Sequence, residues 1–217
     1  ESGTKALSPD EFEFLANETE ALILDVRAGS DFVKGFVPNA ISIGIDGGFA
    51  PWAGAIIKDV KQPILLVCPE GREEETVTRL ARVGFDNTLG YLKGGMAAWT
   101  NAGKETDEIR SIKADEFATE SQTTNYPIID VRNQAEYNTG HLDNAHLLPL
   151  DQLNERFSEF PKDKPFYIHC AGGYRSLIAA SILKSRGYHD ITDIAGGFGA
   201  IKNTSLPITS SECSIKS

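Results

Sequence analysis

Cysteine is scarce in this chain: three among 217 residues, at positions 68, 170 and 213. The number is odd and the spacings share no metal-binding pattern, which argues against a disulfide framework and for a reducing compartment. A cytoplasmic location is expected, with no metal site. Positive charge is in deficit. Lys and Arg total 21 against 31 Asp and Glu, a net charge of −10, so nucleic acid and anionic membrane surfaces are poor partners. Long apolar runs are missing too, since none approaches the roughly 18–20 residues that a membrane span needs. Residues 1–5 hold no apolar signal core, and the one methionine is Met96. The chain is therefore expected to be a processed or excised piece of a longer one. What remains is an ordinary globular composition, 41% hydrophobic and 24% charged, with length for one large or two small domains.

The two halves repeat each other. Asp10-Glu11-Phe12 returns as Asp115-Glu116-Phe117, and Asp25-Val26-Arg27 as Asp130-Val131-Arg132, at a constant offset of 105. Gly35 and Gly140 share that offset, as do Asn39-Ala40 and Asn144-Ala145, while Gly94-Gly95 corresponds to Gly196-Gly197 at an offset of 102. A repeat of about a hundred residues means two copies of one domain. The division expected is domain 1 over 1–100, a polar linker over 101–109, domain 2 over 110–202, and a Ser/Thr-rich tail over 203–217 laid on the surface or left mobile.

Each copy alternates strand and helix. Ser8-Pro9 with Glu11 three residues on is a capping-box start for a helix over 8–17, mirrored at 113–120. Short apolar strands are expected at 21–25 and 127–131, at 40–44 and 145–148, at 63–68 and 165–170, and at 88–92 and 191–194. A helix over 73–83 with Val77, Leu80 and Ala81 on one face, and another over 176–186 ending at Gly187, follow the third strand of each copy. Such alternation in so short a unit predicts an α/β domain, a mostly parallel central sheet flanked by helices. Ligands of such sheets sit beyond the strands' carboxyl ends. Cys170 falls there.

The run Cys170-Ala171-Gly172-Gly173-Tyr174-Arg175 is the candidate site. Glycines 172 and 173 allow a tight turn, the following helix offers its positive end, and Arg175 adds a cation. Each of these favours an ionised sulfur or a bound anion.

The pattern Asp130-Val131-Arg132, Glu136-Tyr137, Gly140-His141, Cys170-x4-Arg175-Ser176 and Gly196-Gly197 resembles the signature of rhodanese sulfurtransferases. Copy one carries Asp25-Val26-Arg27, Gly35, Gly94-Gly95-Met96 and Trp99, so the likeness covers nearly the whole chain as a tandem pair. Residues 44–57 and 71–75 further resemble the first rhodanese repeat of proteins fused to an amino-terminal metallo-β-lactamase-fold persulfide dioxygenase. Such a domain, with its iron, would precede this chain. The resemblance implies a sulfane-sulfur transfer with Cys170 as nucleophile and Ala171, Gly172, Gly173, Tyr174 and Arg175 lining the donor site, without a cofactor. The partners it implies are small anionic sulfur donors such as thiosulfate or a low-molecular-weight persulfide, and cyanide, sulfite or thiol acceptors. The Cys-x4-Arg spacing suits that chemistry, whereas phosphatases of similar fold use Cys-x5-Arg.

Copy one departs from the pattern. Cys68-Pro69-Glu70-Gly71-Arg72 is one residue shorter, Pro69 removes an N–H donor, and Glu70, Glu73, Glu74 and Glu75 would repel an anion. A structural Cys68 in a non-catalytic, binding or regulatory copy is expected. Asp130 and Arg132 are expected to hold loops together through buried hydrogen bonds, and His141 to hydrogen-bond the loop beside it. His169 should point away from the site, Tyr174 shapes the pocket mouth, and Trp52 and Trp99 pack. Cys213 reads as an exposed thiol.

Overall fold

The computed structural model of the chain describes residues 4–210. It falls into two compact units, Glu1–Glu108 and Ile109–Ser217. Unit 1 runs β1 (Ala6–Leu7), α1 (Pro9–Thr19), β2 (Leu22–Asp25), α2 (Gly29–Phe32), β3 (Ile41–Ser42), α3 (Phe49–Ile56), β4 (Ile64–Val67), α4 (Glu73–Arg82), β5 (Thr88–Leu92) and α5 (Gly95–Asn101). Unit 2 runs β6 (Arg110–Lys113), α6 (Ala114–Thr124), β7 (Ile128–Asp130), α7 (Gln134–Thr139), β8 (His141–Leu142), β9 (Ala145–Leu147), two 3-10 turns at Leu150–Gln152 and Phe157–Glu159, β10 (Phe166–His169), α8 (Tyr174–Ser185), β11 (Ile191–Ala195), α9 (Gly197–Ile201) and β12 (Ile208–Thr209).

The repeat is reproduced as topology. The sheets have the orders β1-β5-β4-β2-β3 and β6-β11-β10-β7-β9, with parallel pairing throughout. Every residue of β4 and of β10 is buried, as expected for central parallel strands covered on both faces. These two strands carry Cys68 and Cys170 at their carboxyl ends. The Ser8 capping box forms, Glu11 N–H to Ser8 Oγ and Ser8 N–H to Glu11 Oε1, both 3.2 Å, and starts α1 where the sequence places it.

The helices after the central strands differ. In α8 every residue from Ser176 to Leu183 is buried. Burial of Leu177, Ile178, Ile182 and Leu183 contributes roughly 1.5–3 kcal/mol each. In α4 the buried residues are Thr76 and Leu80. Val77 is half-buried and Ala81 exposed, which corrects the expected face: it is set by Thr76 and Leu80, not by the apolar residues alone.

Three stretches have more structure than the sequence suggested. Strands β1 and β6, two and four residues long, close one edge of each sheet. Residues 102–108, within the linker expected over 101–109, are fastened to unit 1. There Trp99 Nε1 donates to Glu105 O at 2.7 Å, and Phe36 and Asp107 exchange backbone hydrogen bonds of 2.9 Å each way. Within the expected tail, β12 pairs antiparallel with β8. Among the described residues no helix is long and apolar enough to cross a membrane. Cys213 lies outside the described residues.

Candidate active site

Cys170 follows the last residue of β10 and is 1% exposed. The chain turns through Ala171 and Gly172 to Gly173, whose φ of +106° is the left-handed region that favours glycine. That turn brings the Gly173 N–H to Cys170 Sγ at 3.1 Å. The helix starts at Tyr174, two residues earlier than the periodicity indicated. Tyr174 and Arg175 therefore belong to the first turn of α8, and the loop proper is Cys170 to Gly173. Ala171, Gly173, Tyr174 and Arg175 are half-buried and Gly172 is exposed. The sulfur faces the amino end of a 12-residue helix, where backbone N–H groups and the helix dipole favour negative charge.

A second close approach fixes the start of the loop. The Phe198 N–H donates to Cys170 O at 2.7 Å and the Gly199 N–H to Ala171 O at 3.0 Å. Gly197, at φ +57°, has room for no side chain, because a Cβ there would lie 2.5 Å from Cys170 O and 2.7 Å from Ala171 C. Gly95 at the matching place in unit 1 meets nothing within 4 Å. The Gly-Gly pair is thus a clamp on the loop in unit 2 and a plain turn in unit 1.

Arg175 is already engaged. Its guanidinium forms a fork with Glu136 of α7, at 2.7 and 2.8 Å. The same carboxylate accepts the Asn133 N–H at 3.2 Å in the α7 capping box. The Arg175 hydrogen bond, the largest cause, holds the Glu136 carboxyl below its usual range. Glu136 stood in the sequence motif without a role, and its place beside Arg175 depends on packing between segments 39 residues apart.

Behind the loop lies a shared brace. Arg132 donates Nε–H to both Asp130 oxygens, at 3.0 and 3.1 Å, and a terminal N–H to Gly140 O at 2.8 Å. In unit 1, Arg27 makes the same contacts with Asp25 and Gly35 O, at 3.0, 3.1 and 2.9 Å. This explains why Asp-Val-Arg and a glycine eight residues on recur at one offset. The expected bracing role of Asp130 and Arg132 matches this geometry. His141 Nδ1 lies 2.7 Å from Tyr137 O and its ring stacks on Tyr137 at 3.6 Å. His169 is fully buried, with Nδ1 3.0 Å from Cys170 O and burial holding its pKa down. It contacts the Cys170 backbone and not the sulfur.

The matching site in unit 1 is arranged differently. Cys68 Sγ lies 3.8 Å from Thr76 Oγ1. Burial first, and then the charges of Glu73 and Asp25, push the thiol up to about 12. Arg72, at the end of that loop, is held by Asp46 at 2.8 and 2.9 Å and by Glu75 at 2.8 and 3.1 Å. Both causes favour the thiol over the thiolate at Cys68.

Fold and site together define a tandem α/β protein in which one of two strand-end cysteines sits in an amide loop capped by an arginine. The rhodanese-like domain family matches residues 8–102 and 113–204, and the chain belongs to that family. A sulfurtransferase of Allochromatium vinosum is 34% identical over 92 residues, 42% of this chain and 86% of that protein. YqhL of Bacillus subtilis is 41% identical over 71 residues, 33% of this chain and 56% of that protein, so the chain spans little more than half of that relative. Among solved structures, a rhodanese-like domain protein of Staphylococcus aureus is 33% identical, with a TM-score of 0.42, over 47% of this chain and all of that one. A thiosulfate sulfurtransferase of Pseudomonas aeruginosa is 20% identical, also with a TM-score of 0.42, over 95% of this chain and 44% of that one.

Proposed function

We propose that unit 2 is a sulfurtransferase working by double displacement at Cys170. The Cys170 thiolate attacks the outer sulfur of thiosulfate, the S–S bond breaks, and sulfite departs with its electron pair, leaving a Cys170 persulfide. An acceptor nucleophile (cyanide in an assay, sulfite or a thiol in a cell) then takes the terminal sulfur and restores the thiolate. The observation that carries this reading is the Gly173 N–H on Cys170 Sγ at 3.1 Å, at the amino end of α8. The relationship to the Allochromatium sulfurtransferase supports it. Arg175 receives the donor's anionic end, sharing its guanidinium with Glu136. The likeness of residues 44–57 and 71–75 to persulfide dioxygenase fusions makes a low-molecular-weight persulfide the alternative donor, with the dioxygenase domain as a covalent partner.

Unit 1 is proposed to be a non-catalytic binding or regulatory copy, on the strength of its Arg72 clamp and its raised thiol. Intact mass after exposure to thiosulfate tests both readings. One added sulfur atom that maps to Cys170 and disappears in Cys170→Ser is the expected result. Sulfur on Cys68, or thiosulfate:cyanide activity retained by Cys170→Ser, refutes the assignment.

A further inference from the structure

The two repeats place different chemistry behind their cysteines. In unit 2 the register pairs Asp193 of β11 with Ile168 of β10 on one side and Ser111 of β6 on the other. In unit 1 the same register sets Tyr91 between Leu66 and Ala6. Unit 2 thus has a carboxyl, 2% exposed, where its sister carries a phenol ring. Burying a carboxyl is costly unless it is paired or neutral, and here it is built into a chain. Ser111 Oγ donates to Asp193 Oδ2 at 3.1 Å and Ser176 Oγ to Asp193 Oδ1 at 2.7 Å. Cys170 Sγ in turn lies 3.5 Å from Ser176 Oγ. In unit 1 the hydroxyl beside the sulfur, Thr76, donates to Arg72 O at 2.8 Å within its own helix, and the chain goes no further.

We propose that Asp193 is a positioning residue for Cys170, setting through Ser176 whether the sulfur is thiol or thiolate: ionised, it turns Ser176 to accept the S–H and keeps the proton on sulfur, and neutral, it lets Ser176 donate to a thiolate. With Asp193 ionised, the Cys170 S–H donates to Ser176 and Ser176 donates to Asp193. Moving both protons one step along the chain leaves a thiolate that accepts from the Ser176 O–H, and a neutral Asp193 that donates to Ser176 Oγ. No proton reaches solvent and the site keeps one negative charge. A second would be costly in this dry interior. Burial, offset by the two serine hydrogen bonds, pushes the Asp193 carboxyl up to about 6, so a change of protonation lies within reach of neutral pH. The side chains hydrogen-bonded to Asp193 are Ser111 from β6 and Ser176 from α8, with Cys170 beyond. The charged pair of the loop, Arg175 and Glu136, engages itself.

The inference rests on Cys170 being the reacting sulfur, and the pH profile of Cys170 alkylation by iodoacetamide, read by mass, tests it without any sulfur donor. Asp193→Asn puts a neutral donor next to Ser176, so alkylation at pH 7 should accelerate about tenfold and its profile move to lower pH. Ser111→Ala, which copies Ala6 of unit 1 and removes one donor that stabilises the carboxylate, should act in the same direction, by about threefold. In a Ser176→Ala background the effect of Asp193→Asn should fall by at least half. Profiles of Asp193→Asn and Ser111→Ala that overlay the wild type overturn the proposal, as does an Asp193→Asn effect of equal size without Ser176. Sulfur loading from thiosulfate is measured on the same samples. A shifted alkylation profile without sulfur uptake refutes the sulfurtransferase reading and leaves the proton chain. Sulfur uptake with an unmoved profile refutes the chain alone.

Discussion

Asp193→Asn should also change the stability of unit 2, with a pH dependence that the structure dictates. Burial raises the folded-state pKa of this carboxyl from 3.8 to about 6. The folded state then binds its proton more tightly than the unfolded chain does. Wild-type stability therefore falls as pH rises from about 4 to about 6, and the loss is complete above that. Roughly two pKa units at 1.36 kcal/mol each amount to about 3 kcal/mol. Asparagine has no such titration, and its amide still meets Ser176 and Ser111. The variant should accordingly be more stable than wild type by up to about 3 kcal/mol at pH 8, with the advantage vanishing below pH 4. Both tryptophans, Trp52 and Trp99, lie in unit 1, so tryptophan fluorescence cannot follow this. Hydrogen exchange of peptides spanning β10 and β11 can, and comparing variants at one pH cancels the intrinsic exchange rate. A difference that does not vary with pH, or greater protection of the wild type at pH 8, refutes the reasoning.

Gly197→Ala should destabilise unit 2 by about 2 kcal/mol or more, since both its φ and the backbone of Cys170 and Ala171 oppose a Cβ. Gly95→Ala, with a similar φ of +59° but open space, should cost about 1 kcal/mol in unit 1. Urea titrations read by tryptophan fluorescence for unit 1 and by exchange for unit 2 compare them. Arg175→Lys cannot fork with Glu136 and hold a donor at once, so kcat/KM for thiosulfate should drop at least about tenfold in a steady-state cyanide assay. Iodoacetamide at pH 8 should label Cys170 and spare Cys68, whose thiol is pushed up to about 12. Cys68→Ser should leave sulfur loading unchanged. Faster labelling of Cys68 than of Cys170 would contradict the account of unit 1.

Local sequence carried much of this protein. The repeat, the α/β alternation and the Ser8 capping box are matters of spacing and short-range hydrogen bonding, and they reappear in place. So does the strand-end position of Cys170, because an apolar run such as Phe166–His169 suits a covered central strand. The shortened, acidic loop after Cys68 was legible for the same reason: Pro69 and the glutamates act on their own neighbours. Short edges were not legible. β1 has two residues and β12 two, too few for a period to show, and their pairing comes from partners far along the chain.

The tertiary structure alone decided what surrounds the sulfur. Glu136 reaches Arg175 across 39 positions, and Ser111 reaches Asp193 across 82. Asp193 in the sequence is merely an acidic residue interrupting an apolar strand. Its meaning depends on sheet register, which places β6 and β10 on either side of β11. The Gly-Gly pair reads the same in both halves, yet its second glycine is pressed against a loop in one and meets nothing within 4 Å in the other. Composition and spacing fix which residues lie on one strand or one turn. Which strands and turns meet is fixed by packing, and the chemistry proposed for Cys170 depends on that meeting.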